Sequence, residues 1–236
     1  MTRSMGRRKV ELGRTRAVVA GLLAAGLVFA ALFGFTVVSL EDEAGLRDEF
    51  DPVVYVDSAW ENIRTTINEG AVDLASVLMR ITPGPEGKAR KEDLTPVAEE
   101  LGLITTGEAH VYRVVTSGTV SDVDTSTSRG TMGLAVDGYD GPIVVRVYIG
   151  TRIPSDESSV RDAAGIRFGD FREQTEYGMV AAEINRRVVQ GLEGIDLEAL
   201  VGQPVALTGA FTMRTFNQPL IDVSSITLVP LEIIPG

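Results

Sequence analysis

Residues 143–149 read IVVRVYI, and their alternation decides the fold. Ile143, Val145, Val147 and Ile149 fall on one face, and Val144, Arg146 and Tyr148 on the other. That is the period-two pattern of a half-buried strand. Just before it, Asp137-Gly138-Tyr139-Asp140-Gly141-Pro142 is a dense turn signal, because Gly and Asp tolerate turn backbone and Pro presets it. Further back, Thr131–Val136 reads as a second strand and Asp122–Arg129 (DVDTSTSR) as a polar turn. Tyr112, Val114 and Val120 share one face of a long first strand that begins at His110. Forward of residue 149, Asp170-Phe171-Arg172-Glu173 resembles a capping box, in which Asp170 accepts from the third amide and Glu173 reaches back. Tyr177, Val180, Ala181, Ile184 and Val188 then form the buried face of a helix that Gly191 stops. A short helical turn at Leu197–Leu200 leads to Gly202. Val205, Leu207, Gly209, Phe211 and Met213 alternate in a fourth strand. Ile221 and Val223 begin a fifth, which Ile226 and Leu228 continue in the opposite phase, so a bulge is expected at Ser224-Ser225.

Three strands, a helix and two strands are the element order of an OB-fold, a five-stranded barrel with a helix between strands three and four. A closed barrel leaves no free edge. The expected class is therefore α+β, with a β-sandwich-like sheet capped by the same helix as the alternative. Upstream the period is helical. Asp51-Pro52 is a helix start, and Val56, Trp60, Ile63 and Ile67 lie on one face until Gly70. Trp60 reads as core packing, with ligand stacking as the other reading. Val72, Ala75, Leu78 and Met79 continue the period. Pro83–Gly87 with Lys88, Arg90 and Lys91 reads as a solvated loop, and a short helix covers Leu94–Leu101 up to Gly102.

Before all of this, residues 17–40 (AVVAGLLAAGLVFAALFGFTVVSL) are nearly all apolar. At helical rise they reach roughly 36 Å, enough to cross a hydrocarbon layer. Arg3, Arg7, Arg8, Lys9, Arg14 and Arg16 precede the segment, and Glu41, Asp42 and Glu43 follow it. The charge asymmetry places the N-terminus in the cytoplasm and the rest outside. A cleaved signal peptide is the competing reading, disfavoured by the length of the run and by Phe33, Phe35 and Val37-Val38 at its end. The expected division is a basic tail 1–16, a transmembrane anchor 17–40, a helical juxtamembrane stalk 41–109 and a barrel domain 110–232.

The net charge of −11 hides this basic head on an acidic body. An acidic body repels phosphate backbones, which argues against nucleic acid as a partner. Zero Cys excludes disulfides, thiolate zinc sites and a thiol nucleophile, and one His excludes most histidine metal sites. No GxSxG, HExxH or phosphate loop is present. An enzyme is not expected, nor is a cofactor or metal.

DGYDGPIVVRVYIG (137–150), VRDAAGIRFGDFREQTEYGMVAAEINRRVV (160–189) and LVGQPVALTGAFT (200–212) together resemble domain of unknown function 2291, a family of predicted periplasmic lipoproteins. FDPVVYVDSAW (50–60) and EGAVDLASVL (69–78) match its N-terminal half. The resemblance covers about residues 45–230. It implies an extracytoplasmic, membrane-attached place. Members tend to be encoded beside sugar or polyol ABC uptake systems, which implies an accessory role and ABC transporter subunits as partners. A lipoprotein needs a Cys and this chain has none, so the apolar helix itself must be the anchor.

The densest part of that motif supplies the candidate binding residues Arg161, Asp162, Phe168, Asp170, Phe171, Gln174, Glu176 and Tyr177. One reading is a capped helix start, with aromatics entering the barrel mouth, Arg161 paired to a carboxylate and Gln174 satisfying backbone. The other is a polar-aromatic pocket for a sugar or a partner loop, since aromatic faces suit sugar C–H surfaces and amides and carboxylates suit hydroxyls. Arg214, Phe216 and Asn217 lie in the loop between strands four and five, where OB-folds often bind ligands, and Phe216 joins the candidates. Asp122-x-Asp124-x-Ser126-x-Ser128 faintly resembles a calcium loop, but Thr127 stands where Gly is required, so a hairpin turn is expected. His110 is expected at the surface. The functional expectation is a bacterial, membrane-anchored extracytoplasmic accessory or binding protein linked to sugar or polyol ABC uptake. The alternative is a structural or assembly factor of a membrane complex without a small-molecule ligand.

Overall fold

The computed structural model describes residues 50–236, and Phe50–Gly236 form one compact unit. The expected tail and anchor, 1–16 and 17–40, lie outside the described residues. Among those described, no helix is long and apolar enough to cross a membrane.

The chain opens with α1 (Pro52–Glu69), started by Asp51, whose Oδ1 accepts from the amides of Val53 (2.8 Å) and Val54 (3.3 Å). Val56, Ile63 and Ile67 are buried along one face and Trp60 is half-buried. After Gly70 the helix does not simply resume. A two-residue bridge, β1 (Val72–Asp73), comes first, and Asp73 caps a new helix, α2 (Leu74–Arg80), through the Ser76 amide. The restart changes the phase, so Leu74, Ala75, Val77 and Leu78 are buried while Met79 is 61% exposed. The expected loop at 88–91 is instead β2 (Lys88–Arg90), leading directly into α3 (Lys91–Leu101) and β3 (Leu103–Ile104).

The barrel follows as β4 (His110–Asp124), β5 (Thr131–Val136) and β6 (Val144–Tyr148), then α4 (Ser159–Ala163) and α5 (Gln174–Gly191), then β7 (Pro204–Met213), β8 (Leu220–Asp222) and β9 (Ser225–Pro235). Strand order is β4-β5-β6-β9-β7, and β7 pairs back onto β4, which closes the ring. β4 is long enough to serve two partners. Its first part runs against β7 (His110↔Met213 to Thr119↔Pro204) and its last part against β5. The handover occurs at Gly118, where a Cβ would stand 2.4 Å from the Ala135 carbonyl oxygen, so only glycine fits. β4 also extends to Asp124, shortening the expected 122–129 turn. β9 pairs parallel with β6 over 225–228 and antiparallel with β7 over 229–235.

The expected bulge at Ser224-Ser225 is a break between two strands. β8 leaves the barrel and pairs with β2 in a separate ribbon (Ala89↔Ile221), which explains the change of phase. The barrel interior holds Tyr112, Val145, Val147, Leu207, Phe211 and Leu228, and α2 and α3 add Leu74, Leu78, Leu94 and Val97 to the same cluster. α1, α4 and α5 cover the outer face, packing Val56, Ile63, Val160, Val180 and Ile184 onto Val111, Ala210 and Val229. Over its described part, the region expected as a stalk is therefore packed into the barrel's own cores. His110 is a further correction: it is 1% exposed, at the inner end of β4 opposite Met213.

Candidate functional site

α4 and the start of α5 bring Arg161, Asp162 and Tyr177 into one tight group. Arg161 donates from Nε (2.9 Å) and Nη2 (2.7 Å) to Asp162 Oδ1, and from Nη1 to the Tyr177 carbonyl (3.1 Å). Its guanidinium lies 3.5 Å from the centroid of the Tyr177 ring. The Tyr177 hydroxyl stands 3.1 Å from Asp162 Oδ1, and Ser158 Oγ donates to Asp162 Oδ2 (2.7 Å). Burial, then the Asp162 carboxylate, push the Tyr177 phenol up to about 12, against the opposing Arg161 charge. The charged side chains are each 10% exposed. Their hydrogen-bonding capacity is turned on each other.

The aromatics of the motif extend this group outward along α1. Phe171 meets Tyr55 (5.3 Å), Tyr177 (5.6 Å) and Phe50 (5.7 Å), and Phe168 meets Tyr177 edge-on (5.9 Å). They pack on the helical layer, where entry into the barrel mouth was expected. The expected capping box is also displaced. Asp170 accepts from the Arg167 amide (3.1 Å), and Glu176 accepts from the Arg172 amide (3.0 Å). Glu173, just before α5, gives that helix no side-chain cap among the described residues, and Gln174 is exposed in its first turn. Phe216 belongs to another part of the molecule, the loop between β7 and β8.

A different place has the shape of a binding site. Where β9 passes from β7 to β6, residues 211–213 and 225–227 part, leaving an opening of about 310 Å³. Tyr148, Thr212, Ser225, Thr227, Glu157, Gln218 and Asp222 line it, beside apolar Phe211, Met213, Ile221 and Ile226. Glu157 Oε1 accepts from the Ser159 amide (2.9 Å) and Oγ (2.5 Å). Arg214 also lines the opening, but its Nη1 and Nη2 are held by Asp156 Oδ2 (3.0 Å) and by the Asp156 carbonyl (2.7 Å). That bond is the main reason the Asp156 carboxyl is held below its usual range. Burial raises the Tyr148 phenol, helped by Glu157 and Asp156 and opposed by Arg129 and Arg214. Three loops, 125–130, 150–158 and 214–219, thus bring charge to bear on one tyrosine of the third barrel strand.

A second opening, about 250 Å³, lies where β5 and β6 part, beside the Asp122–Arg146 ion pair. That pair occupies the first acid of the calcium-like loop, and Asp124 caps a turn through the Ser126 amide (2.9 Å) and Oγ (2.6 Å), as a hairpin requires. The DGYDG motif builds the rim. The Tyr139 hydroxyl accepts from the Ile143 amide (3.1 Å), and a Cβ on Gly141 would stand 2.3 Å from that hydroxyl. Sequence reasoning placed Tyr148 outward on strand three and Arg214 in the loop. It missed Glu157 and Gln218, because no spacing rule links them to Tyr148.

The family model described as predicted periplasmic lipoprotein (DUF2291) matches residues 25–233. No curated protein matches the chain. Among solved structures, the crystal structure of an OB-fold protein from Thermotoga maritima is similar, with a TM-score of 0.57 and 19% identity over 80% of this chain and 100% of that one. At that identity the likeness is one of fold.

Proposed function

Because the chain belongs to domain of unknown function 2291, the predicted periplasmic lipoproteins, we propose that it is a membrane-attached extracytoplasmic accessory protein, without enzymatic activity, that binds a neutral polyhydroxylated ligand for sugar or polyol ABC uptake. The opening between β7 and β9 carries the ligand reading. Beside apolar Phe211, Met213, Ile221 and Ile226, its lining includes four hydroxyl-bearing residues, the amide residue Gln218 and the carboxylate residues Glu157 and Asp222, types of group that pair with ligand hydroxyls. Its volume, about 310 Å³, lies at the small end of the range of about 300–1,000 Å³ for ligand sites. The cation in the lining, Arg214, is already committed to Asp156, which disfavours anionic ligands. The anchor is residues 17–40, with the barrel outside the cytoplasm.

The test uses the full chain in a detergent without a sugar head group. Neutral sugars and polyols are titrated by calorimetry, and Tyr148→Phe and Gln218→Ala weaken binding. Deletion of the gene slows uptake of the same ligand. Absence of binding by any sugar or polyol, with uptake unchanged, sinks the reading. A reporter active only outside the cytoplasm, fused after Gly236, is active; activity of a cytoplasmic reporter there overturns the orientation. The second reading, an assembly factor without a ligand, is favoured by the self-satisfied Arg161–Asp162–Tyr177 group. It requires that affinity capture recover a complex unrelated to ABC uptake.

A further inference from the structure

The opening between β7 and β9 lies in the barrel wall, and its outer and inner sides differ in chemistry. Strand alternation sorts the lining. On β7, Thr212 points outward, where its hydroxyl meets the Ser159 hydroxyl of α4 (2.9 Å), while Phe211 and Met213 on either side of it belong to the barrel core. On β9, Ser225 and Thr227 flank the inward Ile226, and Ile221 of β8 joins the same core. Phe211, Met213, Ile221 and Ile226 are buried, whereas Tyr148, Glu157, Thr212 and Thr227 are half-buried and Gln218 and Ser225 are exposed. Polar groups therefore stand on the outer side of the opening, over an apolar floor. None of the four floor side chains carries a donor, and the Met213 sulfur is at most a weak acceptor.

We propose that this opening takes a 6-deoxy sugar with its methyl group turned inward, in preference to the parent hexose. The inference rests on the opening being the ligand site. A methyl group set against the floor exchanges water for apolar contact, which favours binding. A hydroxymethyl group in the same place gives up its hydrogen bonds to water and meets no side-chain donor there. The ring hydroxyls of either sugar meet the same outer groups, so the discrimination falls on one atom, the oxygen on the sixth carbon. The volume, about 310 Å³, suits a single ring with a short apolar substituent better than one with a long alkyl chain.

The experiment is calorimetric titration of the full chain, in a detergent without a sugar head group, with D-fucose against D-galactose and 6-deoxy-D-glucose against D-glucose. The expected result is that each deoxy sugar binds about tenfold tighter than its parent, within the range an apolar pocket reaches against one hydroxyl. Met213→Gln, which puts an amide into the floor at nearly the same size, narrows the preference, while Thr227→Val weakens both members alike. In the unsubstituted chain carrying carbon-13 at its methionine methyls, the Met213 signal, assigned by its loss in Met213→Leu, moves when the deoxy sugar is added. This readout decides even where a thermal melt shows Met213→Gln unfolded. If the hexoses bind as tightly as the deoxy sugars, the inference is overturned and the ligand site stands. If the preference is present but the Met213 signal stays still, or a folded Met213→Gln keeps it in full, the methyl group lies elsewhere and the inference also falls. If none of the four sugars binds, both the inference and the ligand reading fall.

Discussion

Arg161 lies over the Tyr177 ring, its guanidinium carbon 3.5 Å from the centroid, while its Nη1 donates to that same residue's carbonyl oxygen at 3.1 Å. One arginine thus fixes both the backbone and the ring of the tyrosine that opens α5, and Asp162 neutralises it. Arg161→Ala leaves a nine-tenths-buried carboxylate without its cation and costs roughly 3–5 kcal/mol. Tyr177→Ala destabilises as well, while Tyr177→Phe, which removes only the hydroxyl with its contacts to Asp162 and the Ile166 carbonyl, costs about 1 kcal/mol. Chemical denaturation of the three variants checks the order. An Arg161→Ala chain as stable as the parent shows that the pair is not structural.

The DGYDG turn makes a prediction about non-additivity. Gly141→Ala drives a methyl group into the Tyr139 hydroxyl and costs roughly 1–3 kcal/mol. In a Tyr139→Ala background the obstruction is gone, so the same glycine change costs less. Equal costs in both backgrounds, measured by urea midpoints, contradict the contact.

Inside the barrel, Phe211 is stacked on Tyr112, with centroids 4.7 Å apart and planes 13° from parallel, and is 1% exposed. Phe211→Ala costs roughly 3–5 kcal/mol. An unchanged melting midpoint shows that β7 does not point this ring inward.

His110 predicts a pH dependence. It is 1% exposed, its Nδ1 has no partner among the described residues, and its pKa is lowered from 6.5 chiefly by burial and then by Lys91, with Glu99 opposing. The folded chain therefore keeps it neutral. As pH falls below about 6.5, the unfolded chain takes up a proton that the folded chain refuses, and stability drops until the folded pKa is reached. The slope from one such group is at most about 1.4 kcal/mol per pH unit. His110→Leu removes this component, so its advantage over the parent grows from pH 7 to pH 5. A difference that does not change with pH removes the histidine from the account.

Much of the barrel was legible in the sequence because alternation is local. Residues 131–136, 143–149 and 205–213 each declare a face without help from elsewhere. What was missed depends on distant partners. Lys88–Arg90 carries two charges in three residues and becomes a strand only because residues 220–222 lie alongside. The opposite phases of Ile221 and Ile226 fit a bulge as well as a break, and only the destination of β8 distinguishes them. Met79 was misplaced because a fresh cap at Asp73 reset the helical phase. Within the candidate residues, spacing grouped Arg161, Asp162 and Tyr177, but could not say that they face one another. Glu157 and Gln218 meet Tyr148 only after the chain has folded back twice.

The shared allegiance of β9 governs how the domain comes into being. Two seams of the barrel, one parallel and one antiparallel, are sealed by this single strand. Whatever local pieces form earlier, neither seam can close until residues 225–235 have been made and have left the ribosome. Losing β9 opens both seams at once and exposes two strand edges. A nascent chain of this design leaves both seams open until its last strand is made, and truncation within residues 225–235 removes pairing from one seam or both.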